Sequence, residues 1–131
     1  MQASVQMGQR LATVIGRGLL GIYFIIPGIT KITGWSDNVD YMAAHGVPFI
    51  PLALGITIVL QIGGGLSLLA GYRTQLCGIG LALLTLIISL FMHDFWNVEE
   101  GVQRAHETQN FVKNLAIMAG LLYVGGAKLD Q

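Results

Sequence analysis

The sequence predicts an all-α polytopic membrane protein, a single four-helix transmembrane bundle over residues 1–131. Three observations predict it. Hydrophobic residues make up 53% of the chain and charged residues only 11%, whereas soluble domains carry about a quarter charged residues. Four apolar runs approach the ~20 residues that a bilayer core requires. The segments between them collect Gly, Pro, Asp, Asn and His, which break helices or seek water.

The first run, Leu11 to Ile32, follows MQASVQMGQR, contains Arg17 and lacks a small-residue cleavage site. It therefore reads as a retained span and not as a secretory leader. Thr13, Arg17, Gly21, Phe24, Gly28 and Lys31 share one helical face, the expected interior face. Arg17 is expected roughly 9 Å inside this span, either facing protein or water, or snorkelling to the headgroups.

The second run, Ile50 to Ala70, contains Gln61 at an expected depth comparable to that of Arg17, within reach of a hydrogen bond across the interface. A neutral Gln would leave Arg17 without a counter-charge. Small residues recur every third or fourth position at Gly63, Ser67 and Gly71, and again at Gly78, Ala82, Thr85 and Ser89. This spacing lets helices approach closely in lipid. The third run, Leu76 to Met92, and the fourth, Phe111 to Ala127, have about 17 residues each, the low end for spanning. Both are expected to cross with little tilt.

An even number of spans places both termini and the Tyr72–Gln75 turn on one side, and the 33–49 and 93–110 loops on the other. Arg10, Arg73 and Lys128 belong to the first side. The second holds Asp37, Asp40, Asp94, Glu99, Glu100 and Glu107, with Arg104 as its basic loop residue. Counting Lys and Arg alone, the positive-inside rule places both termini in the cytoplasm by a small margin.

Seven basic and seven acidic residues balance, so the basic patch of a nucleic-acid binder is missing. One cysteine, Cys77, provides neither a disulfide nor a CxxC pair. Nucleophilic triads, phosphate loops and dinucleotide fingerprints are absent, and Gly63-Gly64-Gly65 lies within an apolar helix. The chain thus has no redox cofactor motif of its own. His45, His93 and His106 are expected on one side with several carboxylates, but without HxxH or HExxH spacing no metal site is expected.

The densest chemical cluster is His93-Asp94-Phe95-Trp96-Asn97, with Ser89 one turn earlier. Imidazole and carboxylate can bind a proton or a polar ligand head, and two aromatic faces can stack on a ring. The competing reading is an aromatic interface belt with a capped helix end. Asn110, Lys113 and Asn114 open the fourth run on the same side, where they can complete a polar pocket with Lys31. Their more usual fate is a snorkelling Lys and a capping Asn.

Several segments taken in order resemble the DoxX family of small bacterial integral membrane proteins. They are Gly16-Arg17-Gly18-Leu19-Leu20-Gly21 leading to Phe24, Gly28 and Lys31; Tyr41 to Pro48; QIGGGLSLLAGYRT from Gln61 to Thr74; Phe91 to Trp96; and the closing FVKNLAIMAGLL. The resemblance implies a multi-pass protein of the bacterial inner (cytoplasmic) membrane. The family often carries an oxidoreductase label: some relatives look like membrane subunits of a thiosulfate:quinone oxidoreductase, and others accompany soluble partners in detoxifying oxidants. Arg17, Lys31, His93, Asp94, Lys113 and Asn114 match the family's recurrent polar positions. Two positions depart from the pattern. Gln61 stands where an acidic residue is expected, which removes the natural partner of Arg17, and Gln75 replaces a frequent basic residue in the turn.

The resulting expectation is a membrane subunit of a redox system that binds a quinone-like ligand. His93 would bond a ring carbonyl, Asp94 would orient His93 or accept protons, and Phe95 and Trp96 would frame the ring. Electrons would come from a soluble or membrane redox partner, so the chain is at most an oxidoreductase subunit. One rival is a non-enzymatic docking or assembly platform that uses the Glu99–Glu107 loop. Another is a small-solute transporter formed by a homo-oligomer with Arg17 lining its interface.

Overall fold

The computed structural model describes residues 1–127, so Lys128, counted above in the orientation argument, lies outside the described residues. The elements are α1 (Gln2–Thr33), α2 (Trp35–Ala44), α3 (Ile50–Ala70), α4 (Thr74–Met92), a short 3-10 turn (Phe95–Asn97) and α5 (Val102–Gly126). There is no strand among the described residues, as the apolar composition predicts. Three segments are long and apolar enough to cross a membrane: Gln2–Thr33, Ile50–Ala70 and Thr74–Asn97. The segment expected as the fourth span, Phe111 to Ala127, falls largely in the second half of α5, which is not among these three.

Element boundaries differ from expectation at three places. The helix α1 begins at Gln2, more than two turns before Leu11. The expected 33–49 loop contains α2, which ends before Gly46 at φ +71°, a left-handed conformation that suits glycine. Most of the 93–110 loop belongs to the 3-10 turn and the opening of α5. Short amphipathic helices lack the long apolar run that marks a span, so composition alone reads them as loops.

The bundle consists of two antiparallel pairs, α1 with α3 and α4 with α5, joined mainly through α3 and α4. Each pair is seated on glycine. A Cβ at Gly21 would lie 2.5 Å from the carbonyl oxygen of Gly65, and one at Gly78 would lie 2.7 Å from that of Leu121. Only hydrogen side chains permit these approaches, and dispersion between close backbones is what holds helices together in lipid. The expected Gly78–Ser89 stripe is buried in this way. The Gly63 stripe is not: Gly63 faces open space and its neighbour Gly65 makes the contact.

Apolar side chains cover the outside as well as the inside. Leu19 is 63% exposed and Val59 68%, while Leu68 and Leu121 are fully buried. This distribution suits a hydrocarbon solvent, since water would disfavour such large apolar patches. Phe24, Leu68, Leu81, Ala82, Leu84 and Leu121 form the main core, and a second cluster of Met42, Leu54 and Ile58 seats α2 on α3.

Arg17 does not reach Gln61. Its Nε donates to the Leu68 carbonyl oxygen at 2.8 Å, and its guanidinium crowds Gly71, the αL cap of α3. A cation there satisfies a terminal carbonyl and complements the negative end of the helix dipole. The early start of α1 explains the shift, because Arg17 falls level with the end of α3 and not with its middle. Gln75 Nε2 donates to Ala127 O at 2.9 Å at this end of the bundle. Arg17, Arg73 and the end of α5 thus gather at one end, opposite α2, His93 and Glu107.

Candidate functional site

The helix α4 carries a polar ladder on the face that meets α5. Thr85 Oγ1 donates to Leu81 O at 2.8 Å and Ser89 Oγ donates to Thr85 O at 2.7 Å, so both buried hydroxyls are satisfied within their own helix. Ser89 Oγ also accepts from Asn114 Nδ2 at 3.0 Å, and Asn114 Oδ1 accepts a longer bond from the Tyr23 hydroxyl at 3.4 Å. The hydrogen bonds of Asn114 therefore tie α1, α4 and α5 together and fix its amide.

One turn beyond Ser89, α4 ends and its chain direction changes. His93 Nδ1 lies 3.1 Å from Glu107 Oε2, and this carboxylate is buried at 6% exposure. An acceptor at Nδ1 holds the proton there and leaves Nε2 as the free ring nitrogen, without a protein partner among the described residues. Asp94 turns the other way. Its Oδ1 lies 3.3 Å from His45 Nδ1 and its Oδ2 accepts from Asn97 Nδ2 at 3.0 Å. The expectation that Asp94 orients His93 is corrected accordingly: Glu107 does so, while Asp94 holds α2 through His45. Consecutive side chains point in different directions as the chain leaves α4 at Met92, which sends His93 toward α5 and Asp94 toward α2.

Two cavities meet at His93. The larger, about 430 Å³, lies between α2, α3 and α4, with a mostly apolar lining that includes Met42, Leu54, Leu84, Ile87 and Phe91. The smaller, about 290 Å³, is the more polar of the two, with Tyr23, Gln61, Asn110, Lys113 and Asn114 beside apolar groups such as Phe24 and Ile88. Lys31, Ile88 and His93 line both. Lys31, which sequence reasoning placed with Asn110 and Asn114, is brought to them and to His93. The two ion pairs among the described residues are His45–Asp94 and His93–Glu107, so Lys31 has no carboxylate partner there.

Gln61 also lines the polar cavity. It is 4% exposed, and its Oε1 is buried without a hydrogen-bond partner. Such an orphaned group costs on the order of 1–3 kcal/mol, and the surrounding helices offer it nothing. Tyr41 stands at the mouth of the larger cavity, its ring 4.5 Å from that of His45. Burial pushes its hydroxyl above the ordinary tyrosine range, and the Glu107 and Asp94 carboxylates add to the shift by opposing a phenolate.

Phe95 and Trp96 are not brought to either cavity. They form edge-to-face contacts with each other and with Phe111, at centroid distances of 5.2, 5.6 and 5.7 Å, and Trp96 is 47% exposed. Such an exposed aromatic cluster at a helix end suits an interface belt. Lys113 lines the polar cavity but is otherwise exposed. Among the described residues no group of three or more His, Cys, Asp or Glu could hold a metal ion.

Sequence reasoning missed Glu107, which it assigned to a loop. The spacing Glu107, Asn110, Asn114 places all three on one helical face, a signal that becomes legible once α5 is known to begin at Val102. Asn38 and Tyr41 were missed because α2 was read as a loop.

No solved structure matches this chain. The inner membrane protein YqjF of Escherichia coli (strain K12) is 38% identical over 112 residues, covering 86% of this chain and 80% of that protein. The inner membrane protein YphA of the same organism is 28% identical over 123 residues, covering 90% of this chain and 87% of that protein. A DoxX family model matches residues 12–94, from the first helix through Asp94 and so including Lys31, Gln61 and His93. With that match over more than half of its length, the chain belongs to the DoxX family.

Proposed function

We propose that this DoxX-family membrane protein is an inner-membrane subunit of a redox system that binds a quinone-like ring compound, with the ligand's polar end at His93 and Lys31. The observation that carries this reading is the junction of an apolar cavity with a more polar one at a histidine held by Glu107. A ligand with an apolar body and a hydrogen-bonding head fits such a site, because each part finds surroundings of its own polarity. The engineered 150 Å³ cavities that hold benzene set a scale of roughly one ring, and the larger cavity, at about 430 Å³, exceeds it.

With Nδ1–H held by Glu107, His93 Nε2 accepts from the hydroxyl of a reduced ring and donates to a ring carbonyl only when the imidazole carries a second proton, while Lys31 supplies a donor in either case. Glu107 fixes the ring orientation of His93. A quinone contributes the electron-accepting chemistry when bound. The chain has neither a dithiol pair nor a dinucleotide fingerprint, so electrons pass between the ligand and a separate redox protein.

In this reading α5 supplies the fourth span, with Leu115, Leu122 and Tyr123 toward lipid, and the end that gathers Arg10, Arg17 and Arg73 faces the cytoplasm. The transporter reading loses its motive, since Arg17 caps α3 within its own chain. Purification in mild detergent followed by mass spectrometry of bound small molecules tests the proposal. A quinone retained by the wild-type protein and lost from His93→Ala is the expected result.

A further inference from the structure

We infer that the polar cavity receives the ring itself, with Gln61 as the partner of a second ring oxygen, so that the protein selects rings carrying two opposed oxygens. This rests on the reading that a quinone-like compound binds at His93, and it adds a residue and a selectivity which that reading does not contain.

Three observations carry it. Gln61 is buried to 4% exposure and its Oε1 has no partner, yet the side chain lines a cavity of about 290 Å³. A buried amide with an unmet hydrogen-bonding group, next to open volume, calls for a polar occupant. The cavity is also large enough, since a ring the size of benzene occupies about 150 Å³.

The third observation is the vertical spacing. A Cβ at Gly28 would lie 3.3 Å from Gln61 Cβ, so Gln61 packs at the level of Gly28. Lys31 is three residues further along α1, roughly 4.5 Å at the helical rise. On α4, Ser89 and His93 are separated by about one turn in the same direction. The site therefore has two polar levels: His93 with Lys31 above, and Gln61 with the Asn114–Ser89 pair below. Polar groups thus meet this cavity at two levels about one helical turn apart, so a ring seated in it is met by polar groups at two of its edges. Because Asn114 and Ser89 are already bonded to each other, Gln61 is the lower-level group that remains to be satisfied. An amide carries both a donor and an acceptor, and it can meet either a carbonyl or a hydroxyl by rotating its terminal torsion.

Binding of naphthoquinone, with two opposed carbonyls, and of tetralone, with one, to the detergent-purified full chain tests the inference by calorimetry. The wild-type protein is expected to bind naphthoquinone at least about tenfold more tightly, as a site built around a hydrogen bond rejects the analogue that lacks its partner. Gln61→Leu is expected to weaken naphthoquinone to the level of tetralone while leaving tetralone unchanged, and Gln61→Met serves if the leucine variant does not fold. Equal affinities in the wild type, or a preference that survives both variants, would overturn the assignment of Gln61 and leave the His93 site standing. If neither compound binds, the reading at His93 fails along with it.

Discussion

His93 Nδ1 and Glu107 Oε2 stand 3.1 Å apart and join the end of α4 to the first half of α5. Glu107 is shielded to 6% exposure, so the pair is only weakly screened and an unpaired carboxylate at this depth would be costly.

Removing the carboxylate is expected to destabilise the fold. Glu107→Ala should cost about 2 kcal/mol, the range of a hydrogen bond to a charged group. Glu107→Gln should cost less because its amide oxygen still accepts. Glu99→Ala, at an exposed position, should stay within about 0.5 kcal/mol of wild type. Denaturant unfolding in detergent, followed by circular dichroism, ranks the three variants. If Glu107→Ala matches Glu99→Ala, the pair contributes nothing.

Two nearby glycines of α3 should respond in opposite ways. A Cβ at Gly65 meets the Gly21 carbonyl oxygen at 2.6 Å and Ile25 Cγ1 at 2.7 Å, so Gly65→Ala must push α1 and α3 apart. A loss of roughly 1–3 kcal/mol is expected from overpacking. At Gly63 nothing lies within 4 Å, and Gly63→Ala should be neutral or stabilising by up to about 1 kcal/mol. Thermal unfolding in detergent separates them, and equal effects would mean that the α1–α3 approach is looser than it is drawn here.

Tyr41 gives a pH signature. Its hydroxyl is held above the ordinary tyrosine range, first by burial and then by Glu107 and Asp94. A group whose folded pKa is raised contributes stability that is fully present below its unfolded pKa and is lost as pH rises through the folded value. In ultraviolet difference titration, the transition that is absent from Tyr41→Phe should come later than that of a free tyrosine. Glu107→Gln should bring that transition earlier. A Tyr41 transition at the position of a free tyrosine would contradict the placement.

The bundle was readable in the sequence because span-length apolar runs leave few alternatives in lipid. The polar cluster at Lys31, His93, Asn110 and Asn114 was readable because these residues sit at the same ends of their runs. Helix starts were not readable. The apolar run gives no sign that α1 continues back to Gln2 or that α5 begins at Val102, since polar helical turns outside the hydrocarbon look like loops. From those two boundaries came the misplaced level of Arg17 and the omission of Glu107. Phe95 and Trp96 were ambiguous for a different reason: aromatic residues beside a histidine suit a ligand wall and an interface belt equally well, and no sequence spacing announces their packing against Phe111.

Ligand binding at His93 can be read from the affinity of one compound for two proteins. Titration of decylubiquinone into the purified chain, followed by quenching of tryptophan fluorescence, should give saturable binding that His93→Ala weakens by about tenfold or more, the loss of one buried hydrogen bond. Saturable binding of equal affinity to both proteins would place the ligand elsewhere and contradict the site described at His93.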